Sequence, residues 1–411
     1  MAHVEIVGRG RTKKLIPNFK FLIEMIQHLF KLIWKRRKSN FLIMLEVFVA
    51  FIILFAVGSL SVYCFKNYLQ PSGIKTENVW AVYVDYNSTS DSLNRENGEL
   101  LSQKAKSFKE IEVVSFDAGM FPFGHSHSNR GFKYKGKSVD ASMFYVDETY
   151  PSVLGLEMVA GTWFKNTDTI LKNRSIVITQ TLKEELFGNE DAIGKEVGEN
   201  EEKNRPRVVG VIQNFKHDSD FQGTEGCIFE ILGSAKTNFL AKTTPSVSAD
   251  FEAKFAQSLR QLGKNWNVEI LHLTDMKAES NELILIPLII ALIVCGFLIV
   301  NVALGLFGVL FQNIARRRSE IGLRRAMGAT GNSITKQFVG EMLVLATFAI
   351  GLGVFFAIQF PILNVFDVAA SVYIGGIVIA VLAVYLLVIL CAWVPSRQAA
   401  MIHPAMALHE E

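Results

Sequence analysis

Four long apolar runs alternate with polar sequence along the chain: Phe41 to Phe65, Leu283 to Phe311, Phe338 to Phe360 and Val372 to Pro395. At about 1.5 Å of helical rise per residue, each is long enough to cross roughly 30 Å of hydrocarbon. Glu46 and Glu341 are the charges inside them, and Asn301 places an amide in the second. Between the first two runs the pattern changes. Asn78 to Asp85 alternates as a strand, Asn94 to Phe108 reads as a polar helix, and Ile111 to Phe116 as another strand. Towards the far end, Gly226 to Leu232 and Thr237 to Lys242 read as strands. Ala249 to Leu262 reads as a helix behind Pro245 and Ser248, and Asn267 to Leu273 as a strand leading into the second run. This predicts a split βαβ sheet assembled from both ends. A strand-rich subdomain is inserted between them at about residues 118–225, carrying Ser175 to Thr179 and Pro206 to Ile212. The expected fold is an α+β membrane protein, with four transmembrane helices and one large α/β domain between helices 1 and 2.

Composition agrees: 50% of residues are hydrophobic and 20% charged, as expected where lipid-spanning and water-exposed segments share one chain. The charge distribution orients it. Met1 to Asn40 carries ten Lys/Arg against two acids, Gln312 to Gln337 carries six against Glu320, and Pro361 to Ser371 carries none. Basic flanks stay inside. Both termini and the 312–337 loop are therefore expected in the cytoplasm, and Lys66 to Glu282, about 215 residues with 25 basic and 31 acidic side chains, outside. The first run starts too far in and runs too long for a cleaved signal peptide.

Gly131 to Ser138, "GFKYKGKS", matches the phosphate-binding pattern Gly-x-x-x-x-Gly-Lys-Ser. That loop works between a buried strand and a helix N-terminus. Here a Gly- and Pro-broken stretch precedes it and the strand-like Val139 to Val146 follows, so Lys135-Gly136-Lys137 reads as a hairpin turn. No nucleophile, base and orienting group stand together in the sequence, so no enzyme activity and no bound cofactor are expected of this chain. Cys64, Cys295 and Cys391 fall in apolar runs and Cys227 is the one cysteine of the outer domain, so no disulfide forms within that domain. His125 and His127 can share a strand face, but no third ligand lies close in sequence and no metal is expected.

On the cytoplasmic side, Phe19, Leu22, Ile23, Ile26, Phe30 and Ile33 recur at helical spacing, opposite Lys20, Glu24, Gln27 and Lys31. Such a helix lies in the lipid interface and leads to the cations Lys35 to Lys38. The stretch "QNIARRRSEIGLRRAMGATGNSITKQ", Gln312 to Gln337, reads as arginines at the end of a span, a short helix from Ser319-Glu320, and a break at Gly328 to Gly331. Gly322 and Ala326 beside Leu323 and Met327 suit a protein groove, while a basic anchor for lipid headgroups is the plainer alternative.

"RRRSEIGLRRAMGAT" followed by "FVGEM", and the terminal "VPSRQAAMIHPAMALHEE", resemble the FtsX-like permeases, the membrane subunits of MacB-type ABC transporters. "YPSVLGLEMVAGTWF", "SIVITQTLKEELFGNEDAIGKEV" and "RVVGVIQNF" resemble the periplasmic core domain of the same type. Two departures stand out: no nucleotide-binding domain precedes the first span, only a segment of about 40 residues, and Glu46 sits in that span.

The resemblance implies a multi-pass protein of the bacterial inner membrane, pairing with a second permease as homodimer or heterodimer. Two copies of a separate ATPase, which bind ATP and Mg, would dock underneath. Their closure would be transmitted through the spans to the outer domain, with a periplasmic adaptor and outer-membrane channel as further partners, lipid around the spans and no nucleic acid. Ser319 to Ala329 would be the coupling helix, with its ATPase contact drawn from Glu320, Ile321, Gly322, Leu323, Arg324, Arg325, Ala326, Met327 and Gly328. Leu323 and Met327 would enter the ATPase groove and Arg324 and Arg325 would face lipid or ATPase. Glu46, Asn301 and Glu341 are the intramembrane polar positions, and both carboxylates are expected to anchor their spans beside cytoplasmic cations. Export or efflux of a periplasmic substrate is the first function implied. A lipoprotein-releasing permease has the same architecture, and a regulatory subunit gating outer partners is the third reading, disfavoured by the length of the outer domain.

The orientation is testable. In a Ser138→Cys protein, a membrane-impermeant thiol reagent added outside the inner membrane is expected to label the new cysteine. Labelling only after that membrane is opened would invert the topology.

Overall fold

The computed structural model describes residues 37–401 except 88–89, 127, 166–173, 199–204, 234–235 and 246. The amphipathic segment Phe19 to Ile33, His127 and the last ten residues of the C-terminal motif lie outside the described residues. The chain divides into two compact units: Tyr63–Pro287, and a second unit made of the chain up to Val62 and from Leu288 onward.

The first long helix, α1, is Arg37–Tyr68. The α/β unit then runs through β1 (Val79–Asp85), α2 (Asp91–Ala105), β2 (Ile111–Asp117), β3 (Asn129–Tyr134), β4 (Lys137–Val146), α3 (Tyr150–Leu154) and β5 (Met158–Gly161). It continues through β6 (Ser175–Thr179), α4 (Gln180–Phe187), β7 (Arg207–Ile212), β8 (Cys227–Ile231), β9 (Asn238–Thr243), α5 (Ala249–Arg260) and β10 (Asn267–His272). All ten strands form one mixed sheet in the order β10-β1-β9-β2-β4-β8-β6-β7-β5, with β3 paired to β4. The strands from the two ends of the unit interleave as β10-β1-β9-β2, every pair antiparallel. The inserted strands continue that sheet. Cys227–Ile231, grouped from its sequence with the far-end strands, lies instead between β4 and β6, parallel to β4. Its five residues read "CIFEI", and a short apolar run does not say which neighbour it will pair with.

The near-continuous apolar reading of β1, "VWAVYVD", has a direct cause: both faces of the sheet are covered. Trp80, Val82 and Val84 pack with Leu101, Phe255 and Leu259 of α2 and α5, whereas Val79 and Ala81 pack on the opposite face with Phe121, Phe144 and Phe229. Phe132, Met143, Ile176, Ile178 and Leu182 form a third cluster under α4. Residues 131–138 form the predicted hairpin turn, with Lys135 and Gly136 at φ 48° and 85°, the signature of a two-residue primed turn.

The two halves of the sheet meet through one residue pair, Asp117 with Val146. Side chains reinforce this joint. The Asp147 carboxylate accepts from Ser115 Oγ (2.7 Å), Phe116 N (2.9 Å) and Thr149 N (3.0 Å). Asp117 is fully buried and accepts from Met120 N at 2.6 Å. Burial pushes its pKa up to about 7, partly opposed by the Met120 and Gly119 amides and reinforced by the charge of Asp147.

The second unit contains α6 (Leu273–Arg316, from Leu288 onward), α7 (Arg318–Ala326), α8 (Gly331–Ala357), α9 (Gln359–Ile362) and α10 (Ala370–Ala400), with the larger part of α1. α1, α6, α8–α9 and α10 are each long and apolar enough to cross a membrane. Phe51, Phe55, Leu306, Phe338, Ala346, Ala380 and Val384 form their shared core. Glycines permit the closest approach. A Cβ at Gly353 would lie 2.3 Å from the Phe51 ring, and one at Gly376 2.0 Å from Ser59 Oγ.

Asp117 carries a pH prediction. Its raised folded-state pKa means the folded protein holds a proton that the unfolded chain releases near pH 4, so this group's contribution is present below about pH 4 and is lost as pH rises to 7. Asp117→Asn removes that loss. The variant's stability relative to wild type should therefore rise between pH 5 and pH 8 by up to about 3 kcal/mol. Parallel melting-temperature profiles of the two proteins across that range would refute the buried, protonated carboxyl.

Candidate functional site

α7 is tied to the start of α8 by a charged network. Arg317, at its N-terminus, is buried; its Nη1 lies 2.8 Å from Glu341 Oε2 and its Nε 3.1 Å from Glu320 Oε2. Its guanidinium also stacks over the Phe338 ring, 5.0 Å from the centroid. Burial works against its charge, but the hydrogen bonds and fields of Glu320 and Glu341 more than offset this and leave its pKa above the ordinary arginine value. Glu320 also pairs with Arg324 at 2.7 Å, Arg324 donates to Gln337 Oε1 at 2.6 Å, and Gln337 donates to Glu341 Oε1 at 3.1 Å. Arg324, half-exposed, is thus paired within the protein through Glu320 and Gln337. Gly322 is buried with Ile321 and does not share the outer surface. That surface holds Leu323 (52% exposed), Ala326 and Met327 (73% exposed). Gly328, at φ 97°, ends the helix, and Thr330 caps α8 by accepting from Ser333 N. Arg325 is half-buried, with Nη1 near the Gly331 turn.

The two intramembrane carboxylates differ. Glu341 meets Arg317 as an anchor would. Glu46 packs against Gly305, where a Cβ would lie 2.7 Å from Oε1, and its Oε2 has no hydrogen-bond partner among the described residues. The expected cation beside Glu46 is therefore not found among those residues; its position faces a neighbouring helix rather than the basic loop. Asn301 is exposed on α6 and donates to its own helix at Phe297 O, 2.8 Å away.

A second constellation lies within the α/β unit. The loop Lys216 to Gly223, "KHDSDFQG", grips the end of α1 and the start of α6. Lys216 is 1% exposed, and its ammonium donates to the carbonyls of Asn67, Gln70 (3.0 Å) and Asp220 (2.9 Å). It therefore binds Asn67 O in the last turn of α1, which also accepts from Gln70 N at 2.9 Å, and Gln70 O just beyond the helix, placing a cation at the helix C-terminus. Burial lowers its pKa, partly offset by Asp220. Phe221 stacks on Tyr68 with centroids 5.3 Å apart, Phe221 O accepts from Asn67 Nδ2, and Gly223 N donates to Tyr63 OH. On the α6 side, Asn281 Oδ1 accepts from Ser219 Oγ and Asp220 N, both at 2.8 Å, and Lys277 pairs with Asp220 at 3.0 Å. Nothing in the sequence pattern marks this clasp. The lysine directly follows the stretch "RVVGVIQNF", and a lysine in a polar run reads as solvated.

Metal-ligand types come together at one place among the described residues: His217, Asp218 and Glu225. His125 instead lies 4.0 Å from Glu279, with both side chains exposed.

A sequence profile for the MacB-like periplasmic core domain matches residues 41–258, more than half the chain, and one for the FtsX-like permease C-terminal region matches 284–404. The chain belongs to the MacB-type permeases. Among its relatives is a macrolide export ATP-binding/permease protein MacB of Neisseria gonorrhoeae, 23% identical over 350 residues, covering 77% of this chain and 51% of that protein. Another is the Bacillus subtilis ABC transporter permease YknZ, 21% identical over 297 residues, covering 68% and 72%. This permease spans about half the length of the MacB relatives it matches. The crystal structure of the periplasmic region of MacB from Actinobacillus actinomycetemcomitans aligns over 52% of this chain and 96% of its own, with 19% identity and a TM-score of 0.35. The protein is a multi-pass ABC transporter permease subunit.

Lys216→Met keeps the buried stem and removes the three-carbonyl donor. It is expected to destabilise the purified permease by about 2–4 kcal/mol, since hydrogen bonds from a charged group contribute about 1.5–3 kcal/mol each and the freed burial penalty offsets part. Thermal unfolding in detergent reads this; an unchanged melting temperature would show that the clasp does not depend on the ammonium.

Proposed function

We propose that this permease converts ATP hydrolysis by a separate cytoplasmic ATPase into movement of its α/β unit, driving export of a substrate taken from the outer compartment. The observation that carries this reading is the division of α7 into two faces. Arg317, Glu320 and Arg324 bind it to Glu341 and Gln337 of α8, while Leu323 and Met327 stand exposed. A helix fixed on one side and apolar on the other suits a lever whose free face fits a partner's groove.

α1 and α6 are the chain segments that lead from one unit into the other, and the Lys216 to Gly223 loop ties their ends within the α/β unit. Displacement of α7 would reach α8 through Arg317 and Glu341, and the outer domain through α1 and α6. The macrolide export named for the Neisseria relative supports efflux as the type of transport. Both termini would lie in the cytoplasm, in keeping with the basic flanks. Two permease subunits and two ATPase subunits would make up the complex, with Mg-ATP bound only by the ATPases.

Leu323→Asp tests the lever. An unpaired carboxylate in a desolvated contact costs about 3–5 kcal/mol, so ATPase binding in pull-down should fall by a hundredfold or more and ATP turnover in the reconstituted complex should no longer respond to the permease. Membrane insertion should survive, because the position lies outside the spans. Normal binding and stimulation by the variant would leave α7 as a lipid-headgroup anchor.

A further inference from the structure

We propose that His217, Asp218 and Glu225 form a binding site for one divalent first-row transition metal ion, of the zinc class, built into the loop that clasps α1 and α6. Each residue offers one ligand atom, and the three atoms lie within 4.8 Å of one another. His217 Nε2 stands 3.5 Å from Asp218 Oδ1, close to the separation of two ligands that share one ion at about 2.1 Å each. One imidazole and two carboxylates suit zinc, cobalt or manganese, and three protein ligands leave a position for water.

The imidazole is held ready for this role. It is 4% exposed, packed edge-on to Phe144 at 5.5 Å and beside Phe215 at 5.8 Å, and its Nδ1 lies 3.8 Å from Cys227 Sγ. The second ring nitrogen therefore meets a neighbouring group while Nε2 faces the carboxylate, the arrangement in which an outer contact fixes the ring of a metal-binding histidine. The backbone is pinned as well: Phe123 N donates to His217 O and Ser280 Oγ to Asp218 O.

The site lies near the surface: Asp218 borders a cavity of about 280 Å³, with Phe123, Gly124, His125 and Ser280 also on its wall, and Glu225 is exposed. Asp218 sits inside the clasp, and Glu225 lies two residues beyond its last contact at Gly223. An ion shared by both would close the loop on itself and stiffen the grip on the two helices.

The test uses the full chain in detergent, stripped with a chelator and titrated with zinc against a chromophoric competitor, with cobalt as an optical probe. One equivalent of saturable binding is expected, with a cobalt ligand-field spectrum of a low-coordinate N/O site and a raised melting temperature. His217→Ala and Glu225→Gln should each weaken binding by about tenfold to a hundredfold or more, and His125→Ala should leave it unchanged. Should His217→Ala fail to fold, Glu225→Gln, at an exposed position, decides the matter. Absence of stoichiometric binding, or equal affinity in wild type and Glu225→Gln, would overturn the site and leave the His217–Asp218 contact a structural one. Because the readout is metal affinity, failure here is independent of whether the ATPase-coupling reading holds.

Discussion

The buried ammonium of Lys216 is the contact on which the α/β unit's hold on its two helices depends. A helix that ends inside a folded unit favours a cation at its C-terminus, and here an ammonium from a distant loop binds Asn67 O in the last turn and Gln70 O just beyond it, together with Asp220 O of its own loop. Asp220 then joins Lys277 and Asn281 at the start of α6. One chain of polar contacts thus runs from the end of the first helix to the start of the second, on a loop of eight residues.

The other polar focus, around Arg317, follows the same logic in different surroundings. A guanidinium buried among helices is costly unless carboxylates satisfy it, and Glu320 and Glu341 do so from α7 and α8. Glu341 gains a structural partner and α7 gains a fixed orientation, with Leu323 and Met327 turned away from the core. Glu46, the other carboxylate within a span, is placed by packing against Gly305. Equal chemistry in two spans therefore serves two ends, decided by which helix passes alongside.

Within the sheet, the constraint is two-sided burial. Strands such as β1 and β6 are apolar on both faces, so hydrophobicity alone leaves their neighbours open, and the joint between β2 and β4 is specified by Asp117 and Asp147 instead. Buried polar groups with few ways to be satisfied exclude alternative registers more sharply than interchangeable aliphatic contacts do.

By itself the sequence determined the features that depend on neighbours along the chain. Run length marked four helices long enough to cross a membrane, Lys135-Gly136-Lys137 marked a hairpin turn where the letters match a phosphate loop, and Ser319-Glu320 followed by the break at Gly328 marked a short helix outside the spans. Only the tertiary structure decided which distant side chains meet. Cys227–Ile231 joined the inserted strands, Lys216 met carbonyls nearly 150 residues away, Arg317 reached Glu341, and His217 came to face Asp218 and Glu225 around a turn. The reason is physical. Hydrogen-bond periodicity and hydrocarbon thickness act locally and leave a periodic trace in the sequence, whereas satisfying a buried charge depends on the folded path that brings a partner to it.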